Sequence, residues 1–217
     1  MKKFFTLIAM ALVAIGAQAQ TISFTEKAAQ GTLDGKSFGE GLVLTLTDTG
    51  GKMSIDENSQ YFGTVENWTK YSFRLKSGGK SDSKLGFTLT VPSDGTLVLD
   101  MRSSSGSDAR TVSIMNGETA VATYTVSDEN KTSGSVDGKD NKTVWTNYST
   151  AITAGTYTFS FNGGLNIYGI TLKTGAGVTS IKADDAATGA SYNLAGQKVG
   201  ESYKGVVIKN GKKVVIK

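Results

Sequence analysis

The sequence predicts an all-β fold, a sandwich or barrel of short strands. Apolar residues recur at every second position, the period of a strand with one buried face. Glycine is abundant, 27 in 217 residues against a single proline, which suits many tight turns between short elements. Beyond the first twenty residues no stretch carries the 3.6-residue apolar stripe of an amphipathic helix.

Taken in order, residues 1–19 read as a secretory signal peptide. Lys2 and Lys3 precede an apolar run from Phe4 to Ala17, broken only by Thr6, and Ala17-Gln18-Ala19 is a small-x-small cleavage site. The run is shorter than the roughly 20 residues that span a bilayer. The expectation is therefore an exported chain, secreted or at the cell surface, with no transmembrane anchor after cleavage. Residues 20–174 form the main domain. Tyr71, Phe73 and Leu75 alternate with polar partners, as do Leu85 to Val91, Leu97 to Met101, Tyr157 to Phe161, and Leu165 with Ile167 and then Gly169. Val112 and Ile114 precede Asn116-Gly117, the signal of a type I′ hairpin closed by Ala120 to Val126. Ser127 to Lys142 is polar and reads as a long exposed loop. Thr174 to Gly177 reads as a linker, and residues 175–217 as a small β tail. The tail ends in a hairpin whose Asn210-Gly211 turn sets Lys209 opposite Lys212 and Val207 opposite Val214. Such a hairpin is marginal alone and needs Val178, Ile181, Tyr192 and Leu194, or a receptor, as partners.

The chain has no Cys, which excludes disulfides, thiolate chemistry and lipid attachment at a cysteine. It has no His either, which removes the commonest general base and metal ligand. Removing Lys2 and Lys3 lowers the formal charge from +4 to +2, too little for a nucleic-acid footprint. No Gly-x-Ser-x-Gly elbow or phosphate loop is present, and the candidate carboxylates Glu26, Asp34, Asp100 and Glu118 are scattered.

The stretches Ser191-Tyr192-Asn193-Leu194-Ala195-Gly196-Gln197-Lys198-Val199, Lys204 to Ile208 and Asn210 to Lys217 resemble the C-terminal tails of exported Bacteroidetes proteins. Val207 stands where those tails often carry Tyr, and the Pro that often precedes the Lys-Gly is missing. The resemblance implies a type IX-secretion-like sorting tail and export machinery as a partner. Tyr71 to Gly79, Met101 to Arg110 and Gly164 to Leu172 resemble a jelly-roll module found beside pectate lyases in the same bacterial group. That resemblance implies a carbohydrate-binding-like function and a polysaccharide partner.

A site for such a ligand needs aromatic faces for sugar C–H surfaces and polar groups for hydroxyls. An acidic glycan also needs cations, and Arg grips carboxylates with two parallel bonds. Only Arg74, Arg102 and Arg110 occur. Arg74, Lys76 and Arg102 fall on the polar phase of their strands, and Arg110 closes a Gly-Ser loop that could sit beside them. Asn166 and Tyr168 share the polar phase of one strand. Trp68 is a candidate stacking platform, with core or edge packing as its alternative, and Trp145 carries the same pair of readings. Surface solubility and local ion pairs are the competing explanation for the arginines, and a Tyr covering the sheet for Tyr168. No cofactor is expected. Two clusters, Asp56-Glu57-Asn58 and Asp137 with Asp140 and Asn141, leave room for a structural calcium ion, although neither has the spacing of a known calcium loop. These residues point to a non-catalytic polysaccharide-binding module, possessing as rivals a structural or adhesive envelope protein and a small polysaccharide-acting enzyme.

Overall fold

A computed structural model describes residues 19–175 and, towards the C-terminus, residues 191–193, 198–200, 204–209 and 212–216. The signal-peptide reading falls almost wholly outside these residues, as do Val178, Ile181 and Leu194. Every regular element described is a strand, and no helix among the described residues is long and apolar enough to cross a membrane. In chain order the strands are β1 (Ala19–Ser23), β2 (Ser37–Phe38), β3 (Val43–Asp48), β4 (Ser54–Gly63), β5 (Trp68–Lys76), β6 (Leu85–Val91), β7 (Gly95–Ser103), β8 (Arg110–Asn116), β9 (Thr119–Val126), β10 (Lys131–Val136), β11 (Lys139–Trp145), β12 (Tyr148–Ile152), β13 (Gly155–Phe161) and β14 (Leu165–Lys173). A second compact unit, divided from the first between Gly177 and Val178, holds β15 (Ser191–Asn193), β16 (Lys198–Val199), β17 (Gly205–Lys209) and β18 (Lys212–Ile216).

The first unit is a two-sheet jelly-roll sandwich. One sheet runs β10-β11-β4-β5-β14-β7-β12, with β1 also beside β14; the other runs β2-β3-β6-β13-β8-β9. The chain changes sheet at each step from β5 to β8 and again from β12 to β14, the alternation that closes a jelly roll. Every other residue of β3, β6 and β13 is buried, so Leu44, Leu89 and Phe159 of one sheet meet Leu75, Leu99 and Ile170 of the other in a single core. In the second unit β17 and β18 pair with Lys209 opposite Lys212 and Val207 opposite Val214, the register that a two-residue Asn-Gly turn dictates. Tyr192 joins through β15, which lies beside β17.

Three local expectations change. The β8–β9 turn is Gly117-Glu118 rather than Asn116-Gly117, because Asn116 pairs with Thr119. Gly117 has φ of +59° and Asn116 is not left-handed, so the turn follows the II′ pattern with Gly first. Residues 127–142 are not a loop throughout: β10 and β11 form a hairpin around Asp137-Gly138, with φ of +56° and +68°, the I′ geometry. The Asp-Gly signal was there, but the polar flanks masked the strands. Third, alternation in β14 breaks at a bulge between Ile167 and Gly169, so Ile170 and Leu172, not Gly169, continue the phase that faces the sandwich core.

Candidate functional site

The outer face of the β1-containing sheet carries most of the residues singled out above. Arg102, Asn166 and Lys76 stand in one row across β7, β14 and β5, and Arg74 and Tyr168 lie one step further along β5 and β14. This face is not open. β5 pairs with β14 only at Leu75 and Lys76, and beyond the bulge β14 takes β1 as its neighbour, Ser23 opposite Gly169. The distal β4–β5 hairpin, with β11 alongside it, is thereby released from the sheet and folds over its outer face. In a flat sheet β11 and β7 would lie about 19 Å apart. Here the Arg102 guanidinium of β7 lies 3.5 Å from the centre of the Trp145 ring of β11.

Beneath this arm Phe62, Tyr71, Trp145 and Tyr168 form a second apolar cluster. Tyr168 is fully buried, its ring 4.9 Å from that of Phe62, and its hydroxyl donates to Asn58 Oδ1 at 2.6 Å. Burial pushes that phenol up from its ordinary pKa. Asn166 is also buried and its amide donates to the Ser103 carbonyl. Neither can touch a polymer in this arrangement, which corrects the expectation for both: the folded-over arm occupies the space above them. Trp145 donates from Nε1 to Gln60 Oε1 at 2.7 Å and is buried, the packing role of the two weighed for it. Trp68 packs edge-on against Tyr61, with ring centres 5.3 Å apart.

The arginines face carboxylates of the chain itself. Arg74 grips Asp56 through Nε at 2.7 Å and Nη2 at 3.2 Å, across a β4–β5 cross-strand pair. The guanidinium, with Lys76 Nζ at 3.6 Å, holds the Asp56 carboxyl below its ordinary pKa. Arg102 reaches Asp128 at 3.4 Å. Arg110 lies on β8, in the other sheet, and reaches Asp108 at 3.3 Å. An approaching uronate would have to displace these partners. The acidic clusters are used in the same way: Asp56 by Arg74, and Asp137 by Tyr61 and Lys70 at 3.1 and 3.2 Å. No group of three or more candidate metal ligands comes together among the described residues.

One glycine marks how closely the arm fits. A Cβ at Gly169 would collide with the hydroxyl end of Tyr71, which is held by its bond to Asp100. Gly169→Ala is expected to cost about 1–3 kcal/mol, read as a lower urea midpoint; an unchanged midpoint would show that the arm moves freely.

Open space lies elsewhere. A cleft of about 670 Å³ runs between the end of β1, the following loop and β2. Its floor includes Phe24 and Phe38, edge to face at 5.2 Å, with Leu33 and Ile55, and its rim carries Thr25, Glu26, Lys27, Thr32, Lys36 and Ser37. Sequence reasoning missed it, because Phe38 belongs to no alternating run, Phe24 only ends the short alternation Ile22-Ser23-Phe24, and the two rings meet only in the folded chain. A smaller cleft of about 390 Å³ lies against β1, β7 and β14, with Tyr71, Asp100, Lys70 and Lys173 among its lining residues. Asp100 is buried and only its Oδ2 is paired, to Tyr71 at 2.7 Å. Burial pushes its carboxyl up to about 6, against the opposing pull of the Tyr71 bond and the Lys173 charge.

No family model matches this chain, and no curated protein matches it. Solved structures similar to it at low identity include the following three. A structure from work on glycan recognition in the Ruminococcus flavefaciens cellulosome is 12% identical, covering 73% of this chain and 96% of its own, with a TM-score of 0.36. A carbohydrate-binding module of Cellvibrio mixtus lichenase 5A, in complex with cellotriose, is 12% identical over 69% and 96%, with a TM-score of 0.28. The C-terminal module of a marine laminarinase from Zobellia galactanivorans is 15% identical over 60% and 99%, with a TM-score of 0.27. The fold class stands on the chain's own sheets, and the reading of its clefts on their residues.

The carboxylates that a glycosidase would pair are dispersed. Asp100 lies on β7, Glu118 in the β8–β9 turn, and Glu26 at the rim of the larger cleft. Asp34 accepts the Asp48 backbone N–H at 2.7 Å. What the larger cleft can do chemically is hold a polar ligand with one apolar side: rings and aliphatic groups below, hydroxyls and ammonium groups around.

Proposed function

We propose that the first unit is a non-catalytic polysaccharide-binding module. The supporting observation is the cleft floored by Phe24 and Phe38 and rimmed by hydroxyl and charged side chains. A pyranose has an apolar C–H face and a hydroxyl rim, and this lining complements both. Lys27 and Lys36 at the rim would favour an acidic glycan. Lys27 already pairs with Glu57 at 3.2 Å on the surface, a contact worth little and readily exchanged for a uronate. Arg74, Arg102 and Arg110 enter this reading as structural ion pairs, with Lys76 beside them. We further propose that the chain is exported and that the second unit, β15 to β18, is the sorting or attachment element that engages the export machinery. An adhesive protein-contacting role would need apolar surface. The exposed large hydrophobic residues among those described are Val121, Val214 and Val215.

Affinity electrophoresis of the mature chain through gels containing polygalacturonate or neutral plant polysaccharides tests the reading. Retardation is expected, and Phe38→Ala should weaken that by polygalacturonate at least about tenfold, some 1.4 kcal/mol, while circular dichroism stays native. Lys36→Gln should weaken the acidic polymer alone, and more at low salt than at high. If a folded wild-type chain is retarded by no polymer, the reading fails.

A further inference from the structure

We propose that the outer face of the β3-β6-β13-β8 sheet is a second polysaccharide subsite, selective for an uncharged chain, centred on a trough at Gly86. This rests on the polysaccharide-binding reading but names a different surface and a different polymer charge.

The outward positions of the four strands carry no charged side chain. They are Val43, Thr45 and Thr47 on β3; Gly86, Thr88 and Thr90 on β6; Thr156, Thr158 and Ser160 on β13; and Thr111, Ser113 and Met115 on β8. Register aligns them. Thr45, Thr88 and Thr158 form one row across three strands. Thr90 and Thr156 form a second, and Ser160, Ser113 and Thr123 of β9 a third. Sheet geometry spaces such hydroxyls about 4.8 Å across and about 6.8 Å along the strands.

An exposed sheet face is ordinarily kept soluble by mixed charges, and the opposite sheet has them, with Arg74, Lys76, Arg102 and Asp56 on its outer side. A hydroxyl face gives up that protection and gains three things for a neutral polyol. Each Thr both donates and accepts. Its β-branched side chain is stiff at χ1, so little rotamer freedom is lost on binding. No charge has to be stripped of water. A uronate, by contrast, would find no cation on this face.

The trough gives the face a place for a chain. It measures about 290 Å³ and is lined by Thr47, Gly86, Thr88, Thr158 and Ser160, with Asp82 at one end. Gly within a strand weakens it and often marks a close approach by another chain. Packing within the sheet does not require it here: a Cβ at Gly86 would meet nothing nearer than the Asp82 carbonyl at 4.0 Å, and no left-handed φ demands glycine.

That permissiveness makes Gly86→Val the test. Valine suits a strand and should leave the thermal midpoint unchanged or raised while filling the trough. The mature wild-type chain, Gly86→Val and Phe38→Ala are run through hydroxyethylcellulose, galactomannan and polygalacturonate gels, with and without 1 M NaCl. Retardation by a neutral polymer that survives salt, falls at least tenfold in Gly86→Val and persists in Phe38→Ala supports the subsite. Neutral-polymer retardation lost in Phe38→Ala but unchanged in folded Gly86→Val overturns it and leaves the cleft reading standing. No retardation of the wild type by either neutral polymer also overturns it. A wild-type dimer in sedimentation that Gly86→Val dissociates assigns the face to a second copy instead.

Discussion

Replacing Asp100 with Asn is expected to flatten the dependence of stability on pH between about 4 and 6. The folded chain holds the Asp100 proton up to about pH 6 because burial disfavours the carboxylate. The unfolded chain releases it near 3.8. Between those values the native state binds more protons, so stability falls as pH rises through the window. A shift of about two units corresponds to about 3 kcal/mol, or roughly 6–10 °C in melting temperature for a domain of this size. The amide cannot ionise, and its oxygen can still accept the Tyr71 hydroxyl, so Asp100→Asn removes this slope. Its nitrogen takes a buried position where Oδ1 has no partner, a fixed cost of about 1–3 kcal/mol that does not vary with pH. The informative quantity is the difference between the two melting profiles. Asp56 works in the opposite sense: its depressed pKa contributes stability above its unfolded value that is lost as acid protonates it, and it cancels in that difference. Parallel profiles from pH 4 to 8 would show that Asp100 is solvated.

Trp145→Ala is expected to be the most destabilising single change on the outer face, by about 3–5 kcal/mol. The indole fills the buried cluster with Phe62, Tyr71 and Tyr168 and bonds to Gln60. It also carries the Arg102 guanidinium on its face, where a partly desolvated cation–π contact adds roughly 1–2 kcal/mol. Removing it leaves a cavity and an Arg102 whose Nε already lacks a partner. Urea unfolding measures the loss. Trp68→Ala, at a half-buried position beside Tyr61, should cost clearly less and serves as the comparison. If the two variants lose the same amount, the arm is not clamped by the Arg102–Trp145 contact.

Both effects meet at the arm of β4, β5 and β11, where Tyr71 bonds Asp100 of β7 and Trp145 carries Arg102, and this arm is the part of the protein least legible in its sequence. Its residues were individually visible, Trp145 as a stacking platform or as core or edge packing and Arg74 on a polar phase, as was Arg102 on β7. Their meeting was not, because it depends on where β14 exchanges β5 for β1 and on a bulge that alternation cannot reveal. The polar character of residues 127–142 hid β10 and β11 for a related reason. Their hairpin buries only a few side chains, among them Val136, Val144 and Trp145, so most of its outward face reads as loop.

Period-two patterning needs only local chemistry, since a strand with one buried face must alternate. The all-β class, the main alternating strands and the Asn-Gly register of the terminal hairpin could therefore be read from residue order alone. The absence of His and Cys likewise needs no coordinates to restrict the chemistry. Whether a polar-phase residue faces solvent is a different question, since it depends on what else covers the sheet. Tyr168 and Asn166 took the predicted phase and were buried because a distant hairpin lies over them. Phe38, in no alternating run, and Phe24, at the end of a short one, became the floor of a cleft. Partner choice among strands far apart in sequence decided both outcomes, and that choice is settled by the packing of the whole core rather than by any local run.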